Sequence, residues 1–191
     1  MFQERITEEF LAGLARVLKM RLTRLQGDCI RLIATYADEY KIEDVKQVAY
    51  MLATCYHECR FKSIVEIRAQ KGTSIYRMQN KYWASGYYGR GYVQLTWKQN
   101  YAKFTPIVGY DLVKFPNLVL RPQIGARILV VGMKDGLFSG KKLADYFPSK
   151  EAGGPADWLN ARRIVNGNFQ DELVAKAAVK ILGILLVESD V

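Results

Sequence analysis

A helical repeat runs through both flanks of this 191-residue chain and stops between Ser63 and Tyr101. That interruption constrains the fold more than any other feature. Ahead of it, Phe10, Leu11, Leu14, Val17 and Leu18 recur at steps of three and four, the spacing that lays one apolar stripe along a helix. Gly27-Asp28 reads as punctuation, with Asp28 capping a second helix through Ile30, Ile33, Ala34 and Ala37. Glu43 and Asp44 put acid in the first turn of a third helix, where the macrodipole favours it; that helix runs from Val45 to His57 and Glu58. Beyond the interruption, Ile124, Ala126, Ile128, Leu129 and Val131 predict a helix behind Pro122. Asp157 starts another through Trp158, Leu159 and Arg162, and Asp171 to Val187 forms a last, largely buried one.

The interruption itself is rich in Tyr, Trp, Gly, Ser and Asn, with short alternating pieces such as Ile64-Val65-Glu66-Ile67. Small strands and loops that present aromatic rings fit this pattern. Such rings serve equally as packing or as the floor of a cleft, where the apolar faces of sugars stack and hydroxyls need fixed polar partners. With no repeat and no linker, residues 1–191 read as one domain, mainly α (α+β) with a small β lobe. Residues 1–27 supply an N-terminal helix, not a separate binding module. A chain of this length buries roughly 70% of its extended surface, enough for a real core.

Charge narrows the partners only coarsely. Lys+Arg number 28 against 19 Asp+Glu, a formal +9, which suits nucleic acid, anionic lipid or an anionic wall polymer alike. The run Arg16, Lys19, Arg21 and Arg24 concentrates part of that charge. Glu4, Arg5, Glu8 and Glu9 break any signal-peptide stretch, and Ala177–Val187 is too short to span a membrane. The expectation is a chain made in the cytoplasm, with Cys29, Cys55 and Cys59 as buried reduced thiols. Without CxxC or HxxxH no metal is expected, and no cofactor.

Glu58 stands at the C-terminal end of a buried helix. The negative end of the dipole and partial desolvation there favour the protonated form that a general acid needs. Glu66 follows beyond a turn, on a second element. Two carboxyl groups on separate elements can flank one bond, as acid–base hydrolysis of a glycoside requires, although two glutamates at this spacing also arise by chance.

Tyr87-Tyr-Gly-Arg-Gly-Tyr-Val-Gln-Leu-Thr-Trp-Lys-Gln-Asn-Tyr101 is far more specific. Gly89 and Gly91 allow tight backbone around Arg90, Gln94 and Thr96 alternate outward from a strand, and Val93 and Leu95 point inward. This run resembles the signature of glycoside hydrolase family 19, which includes plant-type chitinases and many phage endolysins, at every fixed position from Gly89 to Tyr101. His57-Glu58-Cys59-Arg60-Phe61 resembles the family's catalytic-helix end, one residue shorter and without its two glycines. Phe115-Pro-Asn-Leu118, Asp135-Gly-Leu-Phe138 and Ala161-Arg-Arg-Ile-Val-Asn-Gly167 are similar to later segments, so the likeness spans about residues 28–170. Gln170 stands where the plant enzymes tend to carry another acid.

The resemblance implies a lysozyme-like bilobal fold and an inverting mechanism. Glu58 is then the general acid and Glu66 the general base, and Thr96 helps hold the attacking water. Gln94, Asn100, Tyr101, Asn166 and Arg90 are substrate-side residues, with Arg90 more a brace than a contact and Asn166 equally a capping turn. His57 is structural. The short middle and basic surface favour bacterial peptidoglycan over chitin as the partner. The expectation is a monomeric phage-type endolysin (a muramidase) that reaches the wall or periplasm through a holin-type pore and touches the anionic envelope, with no nucleic acid partner. A bacterial chitinase and a non-catalytic wall-binding protein are the alternatives.

Overall fold

Thr23, not Asp28, opens the second long helix. The computed structural model describes residues 1–149, 153–167 and 169–187. In it Thr23 and Gln26 form a reciprocal cap: Gln26 N–H donates to Thr23 Oγ1 at 3.4 Å, and Thr23 N–H to Gln26 Oε1 at 2.9 Å. The helix α3 (Arg24–Glu39) therefore carries Gly27 and Asp28 in its first turns. Gly27 sits at a close helix contact, where a Cβ would lie 3.3 Å from Arg31 Nη1 and 3.4 Å from Leu11 Cδ1 of the preceding helix. The expected helix over 1–27 is accordingly three pieces: α1 (Phe2–Arg5), α2 (Glu8–Val17) and the start of α3. Asp38 ties the first to α3, accepting from the N–H groups of Phe2 and Gln3 at 2.8 Å.

Asp44 caps the next helix by accepting from Lys46 N–H at 2.8 Å, so Glu43 and Asp44 precede the first turn rather than lie in it, and α4 runs Val45–Cys59. Its residues Val48 to Cys55 are all buried. α4 packs against α8 (Asp171–Val187), whose ends match the sequence expectation, while α7 (Pro122–Lys134) covers α3. One hydrophobic core extends from Phe2 to Leu185. Cys29, Cys55 and Cys59 are buried free thiols within it, with Cys55 Sγ 3.8 Å from each of the others. Burial and its two neighbours push the Cys55 thiol well up, which keeps it protonated.

The middle is less sheet-like than its alternation implied. β1 (Ile64–Val65) and β2 (Arg90–Gly91) pair antiparallel, Ile64 opposite Gly91 and Val65 opposite Arg90. Between them lies a helix the sequence did not announce, α5 (Ser74–Gln79), capped by Thr73. The expected strand through Gln94 and Thr96 is instead a tight hairpin closed by an Arg90–Leu95 bridge, with left-handed backbone at Gln94 (φ 51°) and Trp97 (φ 75°). The in-out alternation survives: Val93 and Leu95 are buried, Gln94 and Thr96 half-buried. α6 (Lys98–Val108) follows, and the helix expected from Asp157 is one 3-10 turn, Asn160–Ile164, which Asp157 caps. The result is mainly helical, 59% helix, with one small two-stranded sheet. Among the described residues no helix is long and apolar enough to cross a membrane.

Candidate active site

The chain leaves α4 through two consecutive left-handed residues, Arg60 (φ 53°) and Phe61 (φ 58°). This is the conformation that glycines would supply, so the backbone turns as a glycine pair would, with side chains that must be held there. Arg60 N–H donates to Tyr56 O at 2.9 Å, its guanidinium lies 4.1 Å from the Tyr56 ring centre, and Gln26 Nε2 donates to Arg60 O at 2.7 Å. Phe61 is buried against the same Tyr56 ring.

Glu58, just before this turn, is ion-paired with Arg162 at 2.6 Å; the side chains are 13% and 2% exposed. Arg162 also donates from Nε to Phe169 O at 3.1 Å. The pair joins the end of α4 to the 3-10 turn that precedes Asn166. His57 beside it is pushed down, first by burial and then by the Arg162 charge, and bonds the side chain of Gln170, so it stays neutral at pH 7. It fills a structural place next to Gln170.

Glu66 is held differently. Its Oε1 accepts from Tyr82 Oη at 2.7 Å and Gln79 Nε2 at 2.9 Å, and its Oε2 from Gly89 N–H at 2.8 Å. Three donors fix the plane of the carboxylate and leave one of its four acceptor positions open. Gln79 is itself buried and spent, accepting from Ala69 N–H and donating its second proton to Ile67 O. Burial and the adjacent Glu66 push the Tyr82 phenol well up, so it remains a donor. Neither Gln79 nor Tyr82 was singled out from sequence. They lie outside the signature string and are recognisable only once α5 turns back toward β1.

Gly89 owes its place to close approach. A Cβ there would meet Gln94 Oε1 at 2.8 Å and Glu66 Oε2 at 3.2 Å. Gly91 has both constraints, a φ of +77° and a Cβ position 2.9 Å from Val119 Cγ1. Arg90 between them is buried, donating to Asn117 Oδ1, Gly86 O, Tyr88 O and Tyr101 Oη at 2.9–3.0 Å. Tyr101 is also fully buried; its hydroxyl donates to Tyr88 O, and burial pushes its phenol up to about 12. Arg90 was grouped with the substrate-side residues but read as more a brace than a contact, and it braces the loop from beneath; Tyr101, expected on the substrate side, faces the protein and does the same.

Gln94 Nε2 donates to Ile64 O and Gly91 O, Thr96 Oγ1 to Gln94 O at 2.8 Å, and Asn100 Nδ2 to Thr96 O at 2.8 Å. These three residues line one pocket of about 120 Å³ with Trp97, Phe138 and Val165. Asn166 follows Val165 and is exposed, with its N–H on Arg162 O. Of the aromatics, Tyr92 is core and Tyr87 bonds Val113 O, whereas Trp83 stacks on Tyr88 at 4.5 Å and Trp97 is 39% exposed. A cavity of about 830 Å³ opens elsewhere, between α3 and the Leu120–Gln123 segment, and neither carboxylate lines it. Among the described residues no cluster of three His, Cys, Asp or Glu side chains is placed to hold a metal ion.

No known family's sequence profile matches the chain. Over 80 residues, 40% of this chain, it is 34% identical to an endochitinase of Arabidopsis thaliana. The chain spans about a quarter of that curated relative's length, the aligned part being 27% of it. The similarity is chitinase-like and partial.

Proposed function

We propose that the protein is a glycoside hydrolase that cuts β-1,4 bonds of an N-acetylated polysaccharide by inversion, with Glu58 as acid and Glu66 as base. The observation that carries this reading is the contrast between the two carboxyl groups. One sits at a helix end against a single buried cation, and the other is fixed by three neutral donors beside the Gly89–Tyr101 loop. Protonated Glu58 gives its proton to the glycosidic oxygen as the C1–O bond breaks, and Arg162 stabilises the carboxylate that remains. Water attacks C1 from the opposite face and passes a proton to the open position of Glu66. Thr96, whose own proton is spent on Gln94 O, accepts the second hydrogen of that water. Asn100 and the exposed Asn166 are left to meet hydroxyl and acetamido groups.

Peptidoglycan is the substrate we favour, because a +9 chain is drawn to an anionic wall. The protein then acts as a monomeric lysozyme-like endolysin of phage type, released to the wall through a membrane pore. Chitin is the second reading, and the partial likeness to a plant endochitinase favours it. Mass analysis of fragments released from purified walls and from colloidal chitin tests both. Glu58→Gln should lower turnover about a thousandfold or more, since general acid catalysis alone is worth roughly 10²–10⁴, and should lower the melting temperature as well, because it leaves the buried Arg162 charge without its counter-ion; a native circular dichroism spectrum at the assay temperature separates the two losses. Full lysis by Glu58→Gln, or intact walls and intact chitin with the wild type, would end the assignment.

A further inference from the structure

Seven aromatic rings lie between Tyr82 and Tyr101, and six of them are spent on the protein. Tyr82, Tyr92 and Tyr101 are buried, and Tyr87 packs on the core with its ring 5.2 Å from that of Tyr101. Trp83 and Tyr88 are half-buried, but both faces of each are covered. Their rings stack at 4.5 Å, while the Arg68 guanidinium lies 4.8 Å from the centre of Trp83 and the Arg90 guanidinium 3.9 Å from that of Tyr88. A guanidinium that close cannot share a face with the stacked ring, so each ring is sandwiched. Trp97 is the exception. It is 39% exposed, and its ring contact among the described residues is T-shaped, with Tyr82 at 5.1 Å, which covers at most one face of the indole.

Neither packing nor backbone accounts for a tryptophan at this position. Its φ of 75° is left-handed, where glycine fits and a residue with a Cβ is strained. It is also the N-cap of α6, a place that suits Ser, Thr, Asp, Asn or Gly, and its side chain makes no capping bond. The backbone is locked there, with Trp97 N–H donating to Tyr87 O at 2.8 Å and Trp97 O accepting from Asn100 N–H at 3.0 Å. That backbone stands the ring inside the candidate site. Tyr82, which it meets edge to face, is the phenol that bonds Glu66 at 2.7 Å, and Trp97 lines one pocket with Gln94, Thr96 and Asn100. The amide donors of Gln94 and Asn100 are fixed on backbone carbonyls, while their side-chain oxygens accept from none of the described residues.

We propose that Trp97 is the sugar platform of this site. The apolar C–H face of an N-acetylated pyranose lies on the open face of the indole, and the oxygens of Gln94 and Asn100 accept from its acetamido N–H and hydroxyl groups. The two halves of the pocket ask for one kind of ligand. Stacking needs an apolar face, and fixed amide oxygens need donors on the same small ring. Because the platform holds the sugar before and during bond cleavage alike, it contributes to binding more than to the chemical step.

The inference rests on the reading of this loop as a glycosidase site, and its test separates the two. Binding of a soluble β-1,4-linked N-acetylglucosamine tetramer, and of soluble glycan strands from purified walls, is followed by calorimetry and tryptophan fluorescence. The chains are wild type, Trp97→Ala, Trp97→Gly, Trp97→Tyr and, for comparison, Trp83→Phe; KM and kcat are measured alongside. Trp97→Ala and Trp97→Gly should weaken binding and raise KM about tenfold, the scale of one aromatic contact, with kcat within about threefold of wild type. Trp97→Tyr should recover most of the affinity. Saccharide should shift the tryptophan emission of Trp83→Phe as it does that of the wild type, and leave that of Trp97→Tyr unmoved. Trp97→Gly takes the same backbone without strain, so it decides should Trp97→Ala fail to fold. Affinity in Trp97→Gly within about twofold of wild type, an emission shift that survives in Trp97→Tyr, or a wild type that binds neither saccharide overturns the proposal. A wild type that binds through Trp97 yet cuts neither polymer removes the catalytic reading and leaves the platform standing. Cleavage that is indifferent to Trp97 does the reverse.

Discussion

The two carboxyl groups are fixed by opposite means, and the difference separates what is distant in sequence from what is near. Glu58 depends on one full charge, Arg162, which lies 104 positions away and is almost wholly buried. Glu66 depends on three uncharged donors, none more than 23 positions away, and on a glycine that lets one of them come close. A single ionic contact concentrates the stabilisation in one partner, so its removal strands a charge. A cradle of neutral donors spreads it, so that losing one bond weakens the hold without releasing the carboxylate.

The comparison breaks hardest at Arg162. Arg162→Met leaves Glu58 beside a desolvated space with no counter-charge, and removing one partner of a buried pair costs about 3–5 kcal/mol. Denaturant unfolding should show a loss of that order, with turnover lost as well; a loss below about 1 kcal/mol would mean that the pair is solvent-screened and the contrast with Glu66 illusory.

Gly89→Ala attacks the other side. Its methyl group would enter within 2.8 Å of Gln94 Oε1 and 3.2 Å of Glu66 Oε2. The Gln94 amide is anchored by two backbone carbonyls, so the hairpin has little room to yield. We expect turnover to fall about a hundredfold, the scale of a displacement near 1 Å in a catalytic group, with a stability loss of about 1–2 kcal/mol. Activity within twofold of wild type would show that Glu66 tolerates a looser cradle than its three bonds imply.

These two sites also show what could be read from sequence and what could not. The string from Gly89 to Tyr101 was legible because close approach and left-handed backbone demand particular residues in a fixed order. The ends of α8 were legible because periodicity is a local property. The ion pair of Glu58 was not, since nothing in Ala161-Arg162-Arg163 tells which arginine turns inward until the 3-10 turn is placed on α4. Tyr101 was expected on the substrate side and instead lies beneath the loop beside Arg90, because a string of residue types does not tell which of them turn under the loop and which stay on its edge. Gly27 misled because a glycine in a tight helix contact looks like a breaker, whereas the Thr23–Gln26 box four residues earlier was the true start.

A smaller effect separates the surroundings of the two groups by pH. His57 is depressed in the folded protein by burial and by Arg162. Below the unfolded value near 6.5, the unfolded chain therefore binds the proton first, and stability falls as pH drops from about 6.5 toward the folded value. His57→Gln should flatten that part of the stability–pH curve. An unchanged slope in the variant would assign the acid sensitivity to other groups and remove His57 from the Glu58 side of the comparison.

The smallest expected effect lies in the turn that joins the two groups. Arg60 and Phe61 hold left-handed backbone at a site where glycine pays no steric penalty, and a left-handed residue with a Cβ costs roughly 1–2 kcal/mol. Arg60→Gly relieves that strain, but it frees the unfolded chain and removes the guanidinium from the Tyr56 ring, contributions of about 0.5–1 kcal/mol each in the opposite direction. The terms nearly cancel, so the melting temperature should change by no more than a degree or two for a domain of this size. A glycine would then be interchangeable with Arg60 here, and turnover should stay within about threefold. A larger loss of turnover at unchanged stability would mean that the Arg60 side chain, and not the path of the backbone, sets where Glu58 stands relative to Glu66.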